Sequence, residues 1–404
     1  VRAGAPWFIK ILKMSENFFY RCTRCLLPNT KPDLVLKRGH QCGACNYIDY
    51  YNKIDWNKRE TDLIQRVKLV KEKRKNLDGY DCTIAVSGGK DSTYQTYIVR
   101  EKLGLSALLL NFEPSRPTEI GIKNLENLRN SFGYDLLILK KNPNYRKLAK
   151  IGFEIVGDHE WPNHVGIYCW PLTIANQMKI PFTFYGEPRG IIGLGQENSF
   201  YDPGVEFVTR DIVEQYIGMN GFRLNDMIKY DKSLKLKDLQ PYMFPENLSQ
   251  DIVGIDLGHF YKWNFYENMD VIKKYGWQEG EYSEDTFVNI EDLDCGFMPY
   301  HQYFKFIKYG YGRATDHASY QVRIGKISKS KAKELIINHE GRLPKKYFQE
   351  FLSFLEINEE RFYKKVDQFA NRRLFEYNEN KREFLRDNDN NLIPTKIWMD
   401  SFGE

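Results

Sequence analysis

Short apolar runs alternate with amphipathic stretches between residues 82 and 185. Four runs, at 83–86, 107–112, 136–139 and 182–185, have the length and apolar content of buried parallel strands. The stretches at 94–103, 118–132 and 145–156 space their apolar residues as helices do. This alternation predicts an α/β fold with a doubly wound parallel sheet, in which ligands bind at the carboxyl ends of the strands.

The flanking parts of the chain follow other patterns. Residues 47–80 are polar and mostly helical in pattern, and beyond residue 328 we expect amphipathic helices followed by a polar tail. Between 190 and 300 the alternation dissolves into a segment rich in Tyr, Phe, Asp and Gly, which we interpret as a substrate-shaping insertion with further sheet elements. The predicted divisions are a leader or expression-derived segment at 1–13, a cysteine-containing segment at 14–60, the α/β domain with its insertion at 61–327, and a C-terminal helical region at 328–404.

Composition narrows the class of protein. The 404 residues are 42% apolar, enough for a substantial core, and the net charge is +5. Arg2, Lys10 and Lys13 supply three of these charges, so the balance from Met14 onward is only +2, which argues against nucleic acid as a partner. No run reaches the length of apolar sequence that spans a bilayer, so we expect no membrane insertion and a cytoplasmic location.

The loop between the first predicted strand and its helix reads SGGKDS, residues 87–92. Two adjacent glycines allow a tight turn whose amide hydrogens point at an anion, and a helix N-terminus adds partial positive charge. The loop is therefore a candidate phosphate cradle. It is not a Walker A loop, which would need glycine in place of Ile84 and Ser or Thr in place of Asp91. The alternative is an ordinary turn that carries two glycines.

Four of the seven cysteines form two CxxC pairs, Cys22 with Cys25 and Cys42 with Cys45. This spacing is typical of a tetrahedral four-thiolate zinc site, which would clamp a segment too small to fold alone. Four protein ligands leave no open coordination position, so we predict a structural zinc ion. An iron–sulfur cluster or two redox pairs are the alternatives. We interpret His40 as a neighbour of the second pair rather than a ligand.

Two further places carry candidate site residues. Glu187 follows the fourth predicted strand, where a carboxylate could hold magnesium or orient an acceptor, although it could equally be a surface acid. The segment YGYGRATDHAS, residues 309–319, offers Arg313 to neutralise an anion and Asp316 or His317 to move a proton. A lone histidine is more often a packing residue.

Several motifs together resemble a known family. The SGGKDS loop resembles the PP-loop of the ATP pyrophosphatase superfamily, whose members split ATP between its α and β phosphates. Combined with RCTRCLLPNTKPD, GHQCGAC, YGE and YGYGRATDHAS, it resembles the N-acetyl sugar amidotransferase family, which makes acetamidino sugars for bacterial surface polysaccharides and nonulosonic acids. The resemblance runs from about Cys22 to the C-terminal helices. It assigns the loop residues as a cradle (Ser87, Gly88, Gly89, Ser92), a counter-charge (Lys90) and a magnesium neighbour (Asp91).

The resemblance implies a reaction, its cofactors and its partners. ATP, with Mg²⁺, would adenylylate the acetamido oxygen of an N-acetyl sugar, and ammonia would then displace AMP to give an acetamidine. The sequence contains no GxCxG nucleophile elbow, so we see no glutaminase in this chain. The resemblance implies a separate glutaminase with a cyclase-like, ammonia-channelling subunit.

Two other functions remain open from the sequence. Some PP-loop enzymes that thiolate tRNA also carry paired CxxC knuckles, but the weak basic balance and the RATD segment argue against that activity here. A non-catalytic protein, in which the knuckles dock a partner and the loop only binds nucleotide, is the third hypothesis.

Overall fold

A five-stranded sheet lies at the centre of the structure, a computed structural model that describes residues 19–32, 34–73, 78–186, 208–210, 213, 224–281 and 283–403. Its order is β3-β2-β1-β4-β5, and every neighbouring pair of strands is parallel. This confirms the predicted parallel α/β fold. The strands are β1 Cys82–Ala85, β2 Ala107–Phe112, β3 Asp135–Leu139, β4 Phe182–Tyr185 and β5 Val253–Asp256.

Helices account for most of the remaining described chain. The first group comprises α1 Gly43–Tyr51, α2 Trp56–Lys73, α3 Lys90–Tyr97, α4 Glu119–Phe132, α5 Asn144–Val156, α6 Trp161–Met178, α7 Leu224–Tyr230 and α8 Phe265–Ile272. The second group comprises α9 Met298–Tyr309, α10 Arg313–Arg323, α11 Lys329–His339, α12 Phe348–Leu355, α13 Glu359–Phe369 and α14 Lys396–Asp400.

Alternate residues of β2 pack into two different cores. Leu108 and Leu110 belong to a cluster that includes Trp170 of α6, whereas Leu109 belongs to a cluster that includes Leu125 of α4. Because successive side chains of a strand point to opposite faces, helices cover both faces of the sheet. The sheet is therefore doubly wound.

The order of the strands reverses beside β1. The chain builds β1, β2 and β3 toward one edge and then crosses to place β4 and β5 on the other side of β1. Ligands of open α/β sheets bind where the order reverses, outside the carboxyl ends of the strands. The segment 87–92 leaves β1 at that point.

Helix α3 begins earlier than predicted. It starts at Lys90, with Gly89 in an extended conformation as its N-cap, and it continues into a π-helical turn at Ile98–Lys102. The hydroxyl of Thr93 donates a 2.9 Å hydrogen bond to the carbonyl oxygen of Gly89. The expected start near residue 94 was wrong because the first turn of α3 is polar, so the apolar spacing begins one turn late.

The end of the described chain is not the polar tail that we expected. A β-hairpin of β6 Tyr377–Asn378 and β7 Glu383–Phe384 precedes α14, and Trp398 and Phe402 are buried. The guanidinium carbon of Arg21 lies 4.0 Å from the centre of the Phe402 ring, and its Nε donates a 3.1 Å hydrogen bond to Ser401. The cysteine-containing segment therefore packs against the C-terminal end of the described chain.

None of the helices in the described part of the chain is both long enough and apolar enough to cross a bilayer.

Candidate functional site

The SGGKDS loop forms a fixed turn at the carboxyl end of β1. Gly88 has a φ of +84°, and a Cβ there would lie 2.8 Å from the carbonyl oxygen of Gly121 and from the amide nitrogen of Leu125 in α4. Glycine is required both by the left-handed backbone and by this close approach. The N–H of Gly89 donates to Oγ of Ser87 at 3.2 Å, which closes the turn just before α3. A glycine turn that opens onto a helix N-terminus is suited to phosphate.

Lys90 is a buried cation between two carboxylates. Its Nζ lies 2.6 Å from Oδ2 of Asp91 and 2.6 Å from Oε1 of Glu291, and its side chain is 5% exposed. The same nitrogen lies 4.4 Å from the centre of the Phe265 ring. A buried ammonium needs such partners. An anion bound at the loop would therefore compete with these carboxylates for Lys90.

Glu291 connects the loop to the predicted second site. Nε2 of His317 lies 3.1 Å from its Oε1, and a guanidinium nitrogen of Arg313 lies 3.8 Å from its Oε2. Burial alone would raise the pKa of Glu291. Lys90, then His317 and Arg313, outweigh burial and hold the pKa of this carboxyl well below its usual range. The carboxylate is therefore ionised at neutral pH, and Arg313 forms a second ion pair of 3.0 Å with Asp292.

Asp91 also lies against the end of β4. Nε1 of Trp263 donates a 3.0 Å hydrogen bond to Oδ1 of Asp91. A Cβ on Gly186, which follows β4, would lie 3.6 Å from Cβ of Asp91. The carboxyl end of β4 thus meets the loop at the switch point, as the strand order requires. Glu187 lies outside the described residues.

Asp316 belongs to a separate ion cluster. Its two carboxylate oxygens lie 3.0 Å from Nζ of Lys31 and 2.8 Å from Nζ of Lys305. Burial would raise the pKa of Asp316, but Lys305 and Lys31 hold it below its usual range. The structure thus brings Arg313 and His317 to the loop through Glu291, whereas Asp316 faces the cysteine-containing segment.

The four cysteines converge on one point. Their Sγ atoms all lie within 4.8 Å of one another, and three of the pairs are 3.6 to 3.7 Å apart. Four sulfurs at roughly 2.3 Å from one zinc ion would be separated by about 3.8 Å. All four side chains are fully buried. The predicted grouping is confirmed, and the donor set fits a metal ion; His40 is not part of this group.

Helix α10 connects the two clusters. Arg313 at its first position reaches Glu291, and Arg323 at its last position donates a 3.6 Å hydrogen bond to Sγ of Cys25. Burial would lower the pKa of Arg323, but the neighbouring thiolates, led by Cys25, raise it. One helix, about 16 Å long at 1.5 Å per residue, therefore joins the thiolate cluster to the ion network of the loop.

A cleft of about 680 Å³ lies beside that network. Glu291 and Asp292 line one part of it, and Arg116, Lys346 and Tyr347 line another. The guanidinium of Arg116 lies 3.8 Å from the centre of the Tyr347 ring. A volume of this size is within the range of small-molecule sites.

Sequence reasoning missed Glu291 and Arg323. Glu291 lies in the acidic stretch 291–294, which carries no recognised spacing, and Arg323 lies beyond the RATD segment that drew attention. The clustering of acids after an aromatic-rich segment was the one available signal for Glu291. Nothing in the sequence indicated which cation would meet it.

The chain was also compared with known proteins. Residues 264–387 match the family model described as LPS biosynthesis protein WbpG-like, C-terminal domain, which is less than a third of the 404 residues. No curated protein matches the chain. Among solved structures, it is similar to the U34-tRNA thiolase NcsA from Methanococcus maripaludis with its 4Fe–4S cluster, at 12% identity and a TM-score of 0.30, over 76% of this chain and 86% of that chain. The matched family region includes Glu291, Arg313 and His317, so this part of the chain is similar to a domain of lipopolysaccharide-biosynthesis proteins.

Proposed function

We propose that this protein is an ATP-dependent amidotransferase that converts the acetamido group of an N-acetyl sugar to an acetamidino group. The observation that carries the proposal is the contact between Lys90 and Glu291. Lys90 belongs to the loop that resembles a PP-loop, and Glu291 belongs to the region that matches a lipopolysaccharide-biosynthesis family. This contact supports a single site that combines nucleotide chemistry with a sugar substrate.

The reaction has two steps. The acetamido oxygen attacks the α phosphorus of ATP, the bond from that phosphorus to the bridging oxygen breaks, and pyrophosphate leaves. Ammonia then adds to the activated carbon, loses a proton, and expels AMP as the C–O bond breaks. An amide oxygen is a poor leaving group until it is part of a phosphate ester, so adenylylation must come first.

The chain's own residues have defined roles in this proposal. Loop amides and Lys90 bind the pyrophosphate, and Lys90 exchanges one of its carboxylate partners for phosphate oxygens. Developing charge on a leaving group is stabilised by fixed donors of this kind. Asp91 is the loop carboxylate suited to Mg²⁺, which would neutralise phosphate charge when bound with ATP. Arg313 and His317 hold Glu291, which keeps Lys90 in place before ATP arrives.

The cleft beside Glu291 is the proposed sugar site. It offers polar groups and the Tyr347 ring within reach of the ion network. Zinc in the four-cysteine cluster is proposed as a structural ion, because its sulfurs match one tetrahedral ion. We propose a cytoplasmic enzyme that receives ammonia from a separate glutaminase through a cyclase-like channelling subunit.

Product analysis tests the proposal. The protein would be incubated with ATP, Mg²⁺, an ammonium salt and a panel of free and nucleotide-linked N-acetyl sugars, and the products would be identified by mass spectrometry. We expect one sugar in which NH replaces the acetamido oxygen, together with equal amounts of AMP and pyrophosphate. AMP formed only when tRNA is added, with no change in any sugar, would reject the proposal in favour of tRNA thiolation.

A matched pair of lysine variants makes the test specific to the loop. Lys90→Gln should lower AMP formation by about 100- to 1,000-fold, because it removes a donor to the leaving pyrophosphate. Lys237→Gln changes an exposed lysine and should leave the rate unchanged. Equal rates for the two variants would remove Lys90 from the mechanism.

A further inference from the structure

Three potential metal ligands meet at the junction of helices α5, α6 and α9. They are Asp158, in the loop between α5 and α6, His164 in the first turns of α6, and His301 in the first turn of α9. One ligand atom of each lies within 4.8 Å of the other two. Nδ1 of His301 lies 2.8 Å from Oδ1 of Asp158, and the two imidazole rings are 5.0 Å apart, edge to face.

The backbone holds Asp158 in a fixed position. Its amide donates to the carbonyl oxygen of Gly152 at 3.2 Å, and its Oδ1 accepts a 3.0 Å hydrogen bond from the amide of Glu160. Gly157, the residue before it, has a φ of +63°, and a Cβ there would lie 2.9 Å from the ring of Phe369. The carboxylate is thus oriented before any ligand binds, which lowers the entropic cost of forming a site.

The position of the His164 ring is not accounted for by hydrogen bonds within the described residues. Neither ring nitrogen of His164 has a hydrogen-bond partner among the residues that the structure describes. Its ring packs nearly at right angles to the ring of His301. The hydrogen bond between Asp158 and His301 does not involve His164, so that bond gives no reason for a second imidazole at this position. A third ligand near the same point, here a second imidazole nitrogen, is expected if the group binds an ion.

Charge and access are compatible with a cation. The side chains of Asp158 and His301 are 20% and 19% exposed, so solvent reaches the group. The ammonium of Lys308, which acts on Asp158, is held 3.1 and 3.2 Å from the carbonyl oxygens of Val156 and Gly157. Glu160 and His159 also face the group, and Glu160 accepts a 2.7 Å hydrogen bond from Ser115.

We propose that Asp158, His164 and His301 form a second metal site, which takes a divalent first-row transition-metal ion. Two imidazole nitrogens and one carboxylate oxygen favour Zn²⁺, Fe²⁺ or Co²⁺ over Mg²⁺ or Ca²⁺, which prefer oxygen ligands. Three protein ligands leave coordination positions open to water, unlike the closed four-cysteine cluster. The site involves none of the residues proposed for ATP or sugar.

Cobalt titration of the tag-free full-length protein tests the proposal. Co²⁺ bound to thiolates absorbs strongly through charge transfer, whereas Co²⁺ bound to nitrogen and oxygen shows only weak d–d bands. After chelator treatment, we expect two bound equivalents, one of each kind, with the metal content checked by elemental analysis. A single equivalent, of the thiolate kind only, would overturn the proposal.

Point variants test whether the second bound Co²⁺ is held by Asp158, His164 and His301. His164→Gln should weaken only the weakly absorbing site, by about 100-fold or more, since it removes a ligand rather than an outer-sphere partner. His339→Gln, which changes a histidine outside the group, should leave both sites intact. His164→Gln is preferred to Asp158→Asn because it disturbs no backbone hydrogen bond, and circular dichroism would verify folding. Retention of the second equivalent by folded His164→Gln would overturn the assignment.

Discussion

The amine of Lys90 lies 2.6 Å from a carboxylate oxygen of Glu291, and this contact joins the glycine loop to a distant acidic stretch. Glu291 has three cationic or imidazole neighbours, so its charge is shared between the loop and helix α10. The loop is consequently not a free-standing phosphate cradle. Its position depends on residues that follow the sheet.

Replacing Glu291 by Gln should destabilise the protein strongly. The buried charge of Lys90 would lose the carboxylate that lies 2.6 Å from it, and breaking a buried ion pair costs about 3 kcal/mol or more. Urea unfolding at neutral pH would measure the change. Glu279→Gln breaks the partly exposed pair with Lys273 and should cost less than about 1 kcal/mol. Similar losses in both variants would contradict the proposed network.

Gly88 and Gly104 provide a matched pair for the loop. Both have positive φ, but a Cβ on Gly88 would meet the backbone of α4, whereas a Cβ on Gly104 would meet open space. Gly104→Ala should therefore cost only about 1 kcal/mol of backbone strain. Gly88→Ala should cost clearly more and weaken ATP binding measured by calorimetry. If Gly88→Ala binds ATP as wild type does, the close approach of α4 is not needed to shape the loop.

Asp316→Asn separates a structural role from the proton-transfer role that the sequence suggested. We expect its unfolding free energy to fall by about 2 kcal/mol, because Lys31 and Lys305 lose a shared buried carboxylate. The rate of AMP formation at saturating substrates should stay within a few-fold of wild type. An unchanged stability with a rate reduced by about 100-fold would instead favour proton transfer by Asp316.

Loss of one cysteine should release the metal of the four-thiolate cluster. Cys25→Ser should lower the bound metal by one equivalent and expose the segment around it to proteolysis, because metal binding supplies its folding free energy. Cys169→Ser changes a cysteine that is also fully buried but lies in α6, and should keep the metal. Elemental analysis and limited proteolysis would check both. Metal retained by Cys25→Ser would argue against four-thiolate ligation.

Ionisation of the buried Asp285 carboxyl should lower the free energy of unfolding as the pH rises. Burial, assisted by Asp292, raises the pKa of Asp285 from 3.8 to about 7. The folded state then binds a proton that the unfolded state has lost, so the penalty grows between about pH 4 and pH 7. Between pH 5.5 and pH 8, wild type should lose about 1 to 2 kcal/mol relative to Asp285→Asn.

Denaturant unfolding at the two pH values would measure that difference. The exposed Asp389→Asn is the control, and it should follow the wild-type pH dependence. A constant difference between wild type and Asp285→Asn across this range would show that Asp285 has an ordinary pKa.

The sheet and the four cysteines could be predicted because their signals are local. Each strand from β1 to β4 is a short apolar run, and CxxC pairs bring two thiolates together within one turn of chain. The start of α3 could not be placed, since its first turn is built of polar residues that are nevertheless buried, Lys90, Ser92 and Thr93, and no apolar spacing marks it. The last segment seemed polar because Trp398 and Phe402 lie among charged residues without a helical or strand period.

The ion network could not be predicted for a different reason. Arg313, Asp316 and His317 were chosen as one site because they are close in sequence. On helix α10, however, the face that carries Arg313 and His317 meets Glu291, whereas Asp316 meets Lys31 and Lys305. Which carboxylate meets that face depends on how the chain after β5 returns to the sheet, and no pattern within a few residues of Glu291 contains that information.

The contact of Arg21 with Ser401 and Phe402 has a consequence for how the protein is made. During translation, the cysteine-containing segment leaves the ribosome long before its packing partners at the other end of the chain exist. Its four thiols can take up a metal at once, but the surface that covers Arg21 forms only after Ser401, 380 residues further along the chain, has been made. The order of synthesis therefore separates metal binding from the final docking of that segment, and a chain released early would carry a loaded but undocked metal site.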